Sequence, residues 1–255
     1  MKHIIKSSVA PLYEKPDRLS LLTDEVLHGW QVDILDETSS FYKIKTFYNY
    51  TGYIEKHHIN KASTVNKNIV TTSFADILSK PEIKSKRILT IPKGSFVDIG
   101  EVVNDYTEIT LPDNNKAYIR TEKITPHKEI TPTQIKNEEA FRDTLIKNAF
   151  TYADAGYRWG GKTPQGVDCS ALVFMSYFMA GILIYRDAQI KEGFAIKEIP
   201  KEKLKKGDLI FFEGHVGMYT MHDTFIHSSD KNGGVKLDNL SKNLPWEYVG
   251  CGSLF

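Results

Sequence analysis

Residues 157–170 read Tyr157-Arg158-Trp159-Gly160-Gly161-Lys162-Thr163-Pro164-Gln165-Gly166-Val167-Asp168-Cys169-Ser170, and the chain continues ALVFMSYFMA to Ala180. Two kinds of chain meet at Asp168. Before it, glycines and a proline punctuate a turn-rich segment. After it, CSALVFMSYFMA is a strongly apolar run of helical length, with Asp168 as its N-cap and Gly181 as the residue that closes it. A helix apolar all round belongs in a core. Its first turn carries Cys169, at the positive end of the helix dipole. That placement favours thiolate and predicts a lowered thiol pKa. Thiolate is the form that attacks carbonyls.

Downstream, LIFF (209–212), HVGMYT (215–220) and TFIHSS (224–229) read as successive strands of an antiparallel sheet. His215 opens the second strand and His227 lies in the third, so one hairpin brings the two rings together. The set reads as nucleophile, base and base-orienter: Cys169, His215 and His227. In this reading His215 holds the thiolate as an ion pair and then protonates the leaving amine. Zinc is the other chemistry open to one cysteine and two histidines, but there is no C-x-x-C pair and no obvious fourth ligand. Cys251 reads as structural, and His3, His28, His57, His58, His127 and His222 as surface or core residues.

Upstream, residues 138–153 are helical in pattern and KEITPTQIKN (128–137) reads as a linker. Ahead of the linker the chain repeats itself. A shift of 65 residues lays Gly29 on Gly94, Val32-Asp33-Ile34 on Val97-Asp98-Ile99, Ile44 on Ile109 and Tyr53-Ile54 on Tyr118-Ile119, without a gap. Each copy holds several short period-2 segments, which predicts a small β-barrel.

Composition sets limits. The chain has 255 residues, 41% hydrophobic and 25% charged, an ordinary globular balance for two to three small domains. A net charge of +1 argues against a nucleic-acid partner. Two cysteines cannot build a disulfide scaffold. No apolar run is long enough to span a membrane, and the first residues show no continuous apolar signal segment, so the expectation is a cytoplasmic protein, or a secreted one if a leader is removed. No phosphate loop or carboxylate–histidine ligand set appears, so no cofactor and no metal is expected.

The blocks G-V-D-C-S-A-L, G-D-L-I-F-F, G-H-V-G-M-Y and F-I-H-S, in that order, resemble the NlpC/P60 cysteine peptidases. The repeats resemble bacterial SH3 domains. The resemblance implies a multi-domain chain: two small all-β SH3-like barrels at 1–64 and 65–128, then an α+β papain-like catalytic domain at 129–255. It implies hydrolysis of the γ-D-glutamyl bond to diaminopimelate or L-lysine, with Tyr157 beside the nucleophile and the Cys169 N–H as an oxyanion donor. The order barrel–barrel–peptidase, with the loops PLYEKP and NYTGY, is similar to the dipeptidyl-peptidase VI type of cell-wall recycling. That likeness implies a free murein tripeptide or tetrapeptide as substrate, its N-terminal L-Ala amine gripped by Glu14 and Tyr50. Glu14 and Tyr50 lie over Ser79 and Asn115 in the second copy, so neither is needed by the repeat itself. Asp168 and Ser170 match residues lining the same pocket, and Asp187 matches a pocket aspartate. Ala188 stands where the family commonly has serine, which removes one hydrogen bond to substrate. Arg186 reads either as a structural arginine or as a partner for a substrate carboxylate. Two rivals remain at this stage: a secreted wall-remodelling endopeptidase with wall-binding barrels, and a wall-binding protein with an inactive peptidase fold. The sequence does not fix the oligomeric state.

Overall fold

A computed structural model describes residues 2–62 and 68–255. The chain divides into two compact units, Met1–Lys128 and Glu129–Phe255. The expected boundary between residues 64 and 65 lies outside the described residues.

The N-terminal unit holds two seven-stranded antiparallel sheets. The first runs, in spatial order, Leu22–Leu27, Val9–Tyr13, Thr51–Glu55, Phe41–Thr46, Gln31–Glu37, Lys2–Ile5, Ile59–Ala62. The second runs Arg87–Pro92, Phe74–Leu78, Lys116–Arg120, Tyr106–Thr110, Phe96–Val103, Asn68–Val70, Ile124–Pro126. The two orders correspond strand for strand, and the pairing repeats at the 65-residue shift. Asp33 pairs with Lys45 and Ile34 with Ile44; Asp98 pairs with Thr110 and Ile99 with Ile109. Tyr13 pairs with Tyr53, and Leu78 with Tyr118. Even the turns repeat: Asn49 and Asn114 both take a left-handed φ, of 61° and 66°. Alternating side chains supply each core; in the second sheet these include Val70, Ile77, Ile91, Val97, Ile109 and Ile119.

The two sheets meet over Gly29 and Trp30. The Trp30 indole donates to the Gly94 carbonyl at 2.8 Å, and the Phe96 amide donates to the His28 carbonyl at 2.9 Å. Gly29 has a φ of +75°, and a Cβ there would lie 2.1 Å from the Phe96 carbonyl oxygen. Only a residue without a side chain permits this approach.

The C-terminal unit is α+β. A helix over Glu138–Phe150 is capped by the Asn137 side chain, and a second spans Cys169–Met179. The first ends three residues short of the span read from sequence, because Thr151 and Tyr152 turn the chain through hydrogen bonds to Asn148 and Ala149. Behind the helices lies a six-stranded antiparallel sheet in the order Lys197–Ile199, Tyr248–Ser253, Leu209–Phe212, His215–Met221, Thr224–Ser229, Gly234–Asn239. Every residue from Cys169 to Phe178 is buried. Each large apolar side chain so covered contributes about 1.5–3 kcal/mol, which fixes the helix, and Cys169 with it, against the sheet. No helix among the described residues is long and apolar enough to cross a membrane.

Candidate active site

The site is assembled from the first turn of the Cys169–Met179 helix and one face of three neighbouring strands. Asp168 caps the helix, accepting from the Ala171 amide at 2.6 Å. The carboxylate also accepts from the Gly160 amide at 3.0 Å and the Ser170 hydroxyl at 3.1 Å. Arg186 reaches it with both terminal nitrogens, at 3.2 and 2.9 Å, and donates to Ser170 Oγ at 2.7 Å. Arg186 is only 1% exposed. Of its two readings from sequence, the geometry matches the structural one: this guanidinium is committed to the carboxylate that caps the helix. Asp168 and Ser170 are therefore locked from within the unit.

Cys169 is buried, and the backbone N–H groups of Ser170 and Val216 donate toward its sulfur. Val216 directly follows His215, so the strand that carries the histidine is the strand that touches the thiol. The His215 ring bonds His227, Nε2 to Nδ1, at 2.8 Å. Antiparallel pairing and period-2 alternation put both rings on one face of the sheet. Gly217 keeps that face open: a Cβ there would lie 2.4 Å from the Phe225 ring and 3.2 Å from His227 Cβ. Trp246 stacks flat on His215, with ring centroids 3.9 Å apart and planes at 8°. Phe212 packs at 6.1 Å.

The expected depression of the thiol pKa is corrected by this environment. Burial pushes the Cys169 thiol up to about 11, and the adjacent Asp168 carboxylate acts in the same direction; the two N–H donors and Arg186 pull it back only in part. The sequence reading counted the helix dipole but not the carboxylate that caps the same turn. Burial also pushes His215 down to about 3, with His227 adding to the effect. Desolvation thus disfavours a lone thiolate and a lone imidazolium alike. Passing the proton from sulfur to ring creates both charges together, with no change in net charge, so each charge can offset the desolvation of the other.

Tyr157 is half-buried, and its hydroxyl is pushed up to about 12 by burial and then by the charges of Cys169, Asp168 and Asp230. Asp187 and Ala188 are half-buried. Asp187 lines a cleft with Tyr185, Val173, Ile184 and Phe194 that does not include the cysteine or the two histidines. In the N-terminal unit Glu14 is exposed and Tyr50 half-buried, stacked on Tyr48 with centroids 6.4 Å apart. The Tyr13–Tyr53 pairing brings the Glu14 and Tyr50 loops to the same end of their sheet.

Two side chains at the site were not read from sequence. One is Trp246. The other is Asp238, whose Oδ2 lies 3.2 Å from His227 Nε2. The signal for Asp238 was present: a tight turn after TFIHSS sets Phe225 opposite Asp238 and His227 opposite Lys236, which makes Asp238 the diagonal neighbour of His227 on the same face. Among the described residues, one group of three side chains is arranged to hold a metal ion, Glu55 with His57 and His58 in the N-terminal unit. Its carboxylate already binds Arg18.

Residues 154–251 match the NlpC/P60 family. Dipeptidyl-peptidase 6 of Lysinibacillus sphaericus is 35% identical over 257 residues, covering 96% of this chain and 94% of its own. A gamma-D-glutamyl-L-lysine dipeptidyl-peptidase of Bacillus cereus is 27% identical, covering 90% of this chain and 74% of its own. A crystal structure of an NlpC/P60 family protein from Bacillus cereus matches with a TM-score of 0.81 at 23% identity, over 98% of both chains, a likeness of fold. With a cysteine at a helix start, a bonded histidine pair on the strands that pack against that helix and a relative this similar over nearly its whole length, the chain belongs to the NlpC/P60 family of cysteine peptidases.

Proposed function

We propose that the enzyme hydrolyses the γ-D-glutamyl-L-diamino acid bond of free murein peptides that begin with L-Ala, releasing L-Ala-γ-D-Glu. The observation that carries the chemistry is the 2.8 Å bond between His227 and His215, the residue next to Val216, whose N–H donates toward the Cys169 sulfur. In this mechanism the thiol proton passes to His215 as sulfur attacks the scissile carbonyl. The backbone N–H of Cys169 donates to the developing oxyanion, and Tyr157 orients the carbonyl. His215 then delivers its proton to the leaving amine, and the thioester is cleaved by water with His215 as base.

The choice of bond is supported by the relatives, whose names specify dipeptidyl release and, in one case, a γ-D-glutamyl-L-lysine substrate. Glu14 and Tyr50 are assigned to the substrate amine, Asp187 and Ala188 to its pocket. Asp168 and Ser170 form the pocket wall, and because Arg186 already neutralises Asp168, Glu14 carries the charge that meets the ammonium. A buried ammonium without such a partner would cost several kcal/mol. Residues 1–64 and 65–128 act in this reading as SH3-like domains and 129–255 as the catalytic domain. The enzyme then works in the cytoplasm, on peptides already released from the wall.

The test is hydrolysis of L-Ala-γ-D-Glu-L-Lys and its diaminopimelate analogue, each compared with the N-acetylated peptide and with intact sacculi. Free peptides should be cleaved, and acetylation should lower kcat/KM by at least about a hundredfold, the scale of leaving a buried charge unpaired. Release from sacculi without prior amidase treatment would instead identify a wall-remodelling endopeptidase. Cys169→Ala should abolish turnover of every substrate.

A further inference from the structure

We infer that Asp238 is a positioning residue for catalysis, fixing through His227 which nitrogen of His215 is free to take the thiol proton. The inference rests on the proposed role of His215 as base. It starts from a chain of three contacts: Asn232 Nδ2 to Asp238 Oδ2 at 3.1 Å, His227 Nε2 to the same oxygen at 3.2 Å, and His215 Nε2 to His227 Nδ1 at 2.8 Å.

A carboxylate only accepts hydrogen bonds. The proton between His227 and Asp238 therefore sits on His227 Nε2. In neutral His227 that leaves Nδ1 as an acceptor, so the proton between the two rings belongs to His215 Nε2. Neutral His215 then has its lone pair on Nδ1, the nitrogen that the His227 bond leaves over. One carboxylate at the far end of the relay sets the tautomer of both rings. Without it, each ring can take either tautomer, and a His215 protonated on Nδ1 cannot receive the thiol proton. The same carboxylate favours the positive charge that the pair acquires once the proton has moved.

The surroundings of Asp238 suit this role. It lies in the Gly234–Asn239 strand, on the face shared with His227. Asn232, in the turn before that strand, holds the oxygen in place, and Lys242 stands 3.9 Å from the other oxygen. The carboxylate is partly exposed, so its removal leaves no uncompensated buried charge.

The experiment compares Asp238→Leu, Asp238→Asn and Cys169→Ala in the full chain. Asp238→Leu should lower kcat about ten- to a hundredfold, within the contribution of general acid–base catalysis, with KM and thermal midpoint little changed. Asp238→Asn should recover most of the loss: the Asn232 amide donates to Oδ2 and so selects the amide oxygen at that place, where it still accepts from His227. In the Cys169→Ala background, ¹⁵N spectra of labelled histidine should show both rings protonated on Nε2 alone, and Asp238→Leu should add the Nδ1–H form. Unchanged kcat together with an unchanged tautomer pattern in Asp238→Leu overturns the inference. Full turnover by Cys169→Ala would overturn the catalytic set beneath it, a separate outcome read from a separate variant.

Discussion

The helix side and the strand side of the site are buried to a similar degree but held by different physics. On the helix side Asp168, Arg186 and Ser170 form a closed charged cluster around the first turn. On the strand side His215 and His227 form a relay of neutral rings under Trp246. The first arrangement fixes geometry through a paired charge. The second keeps its protons mobile, at the cost of holding two imidazoles away from water. The difference predicts that damage to the helix side appears first as lost stability, and damage to the strand side first as lost rate.

The largest effect expected from this contrast is at Arg186. Arg186→Met leaves the Asp168 carboxylate buried without its partner and should destabilise the protein by about 3–5 kcal/mol in urea denaturation. Asp168→Asn in the same chain should restore part of the loss, since asparagine still caps a helix and the unpaired charge is gone. Additive losses in the double variant would mean that the cluster stabilises through packing rather than charge.

A second effect separates the two sides by pH. The folded protein holds His215 at about 3, against 6.5 for the free side chain. Between those values the unfolded chain binds the proton and the folded protein does not. The contribution is therefore complete above pH 6.5 and declines as pH falls toward 3. About 2–3 kcal/mol should be lost from this ring by pH 4.5, at 1.4 kcal/mol per unit. His215→Gln should show a correspondingly smaller loss between pH 7.5 and pH 4.5 in urea midpoints. Equal losses in both proteins would place the acid sensitivity elsewhere, His28 in the N-terminal unit being one such buried ring at about 4.

The same division explains what could be read from the sequence. The helix side is contiguous: cap, cysteine and apolar run occupy one stretch, and local rules suffice to place Asp168, Cys169 and Gly181. The repeat was legible because both copies keep one register, down to Asn49 and Asn114 in matching turns. The strand side depends on pairings between separate segments. His215 and His227 came within reach because a single hairpin joins them, whereas Asp238 needed a further hairpin and Trp246 lies in the loop after it. Arg186 was visible as a residue but not as the partner of Asp168, since no local rule sets a side chain against a helix start 18 positions earlier. The thiol pKa ran against expectation for the same reason: the dipole is a local property, and burial is not.

The smallest effect, and the finest test of the strand side, concerns the indole over His215. Trp246 covers one face of the ring at 3.9 Å, and Lys231 lies 5.8 Å from the indole centroid. Two opposed consequences follow from removing it. Loss of a ring face that favours a cation lowers the His215 pKa. Entry of water relieves the desolvation that is the first cause of its depression, and raises it. Because desolvation dominates, Trp246→Ala should raise the pKa toward 6.5, seen as an upward shift of the His215 Cε1–H titration in the Cys169→Ala background. Turnover at pH 7 should fall only about three- to tenfold, since the Asp238–His227 contact that fixes the tautomer stays in place and base strength alone is a weak lever. A titration that stays near 3 would assign the dry environment to Phe212 and the cysteine helix rather than to the indole, and the relay would then be sheltered from beneath instead of from above.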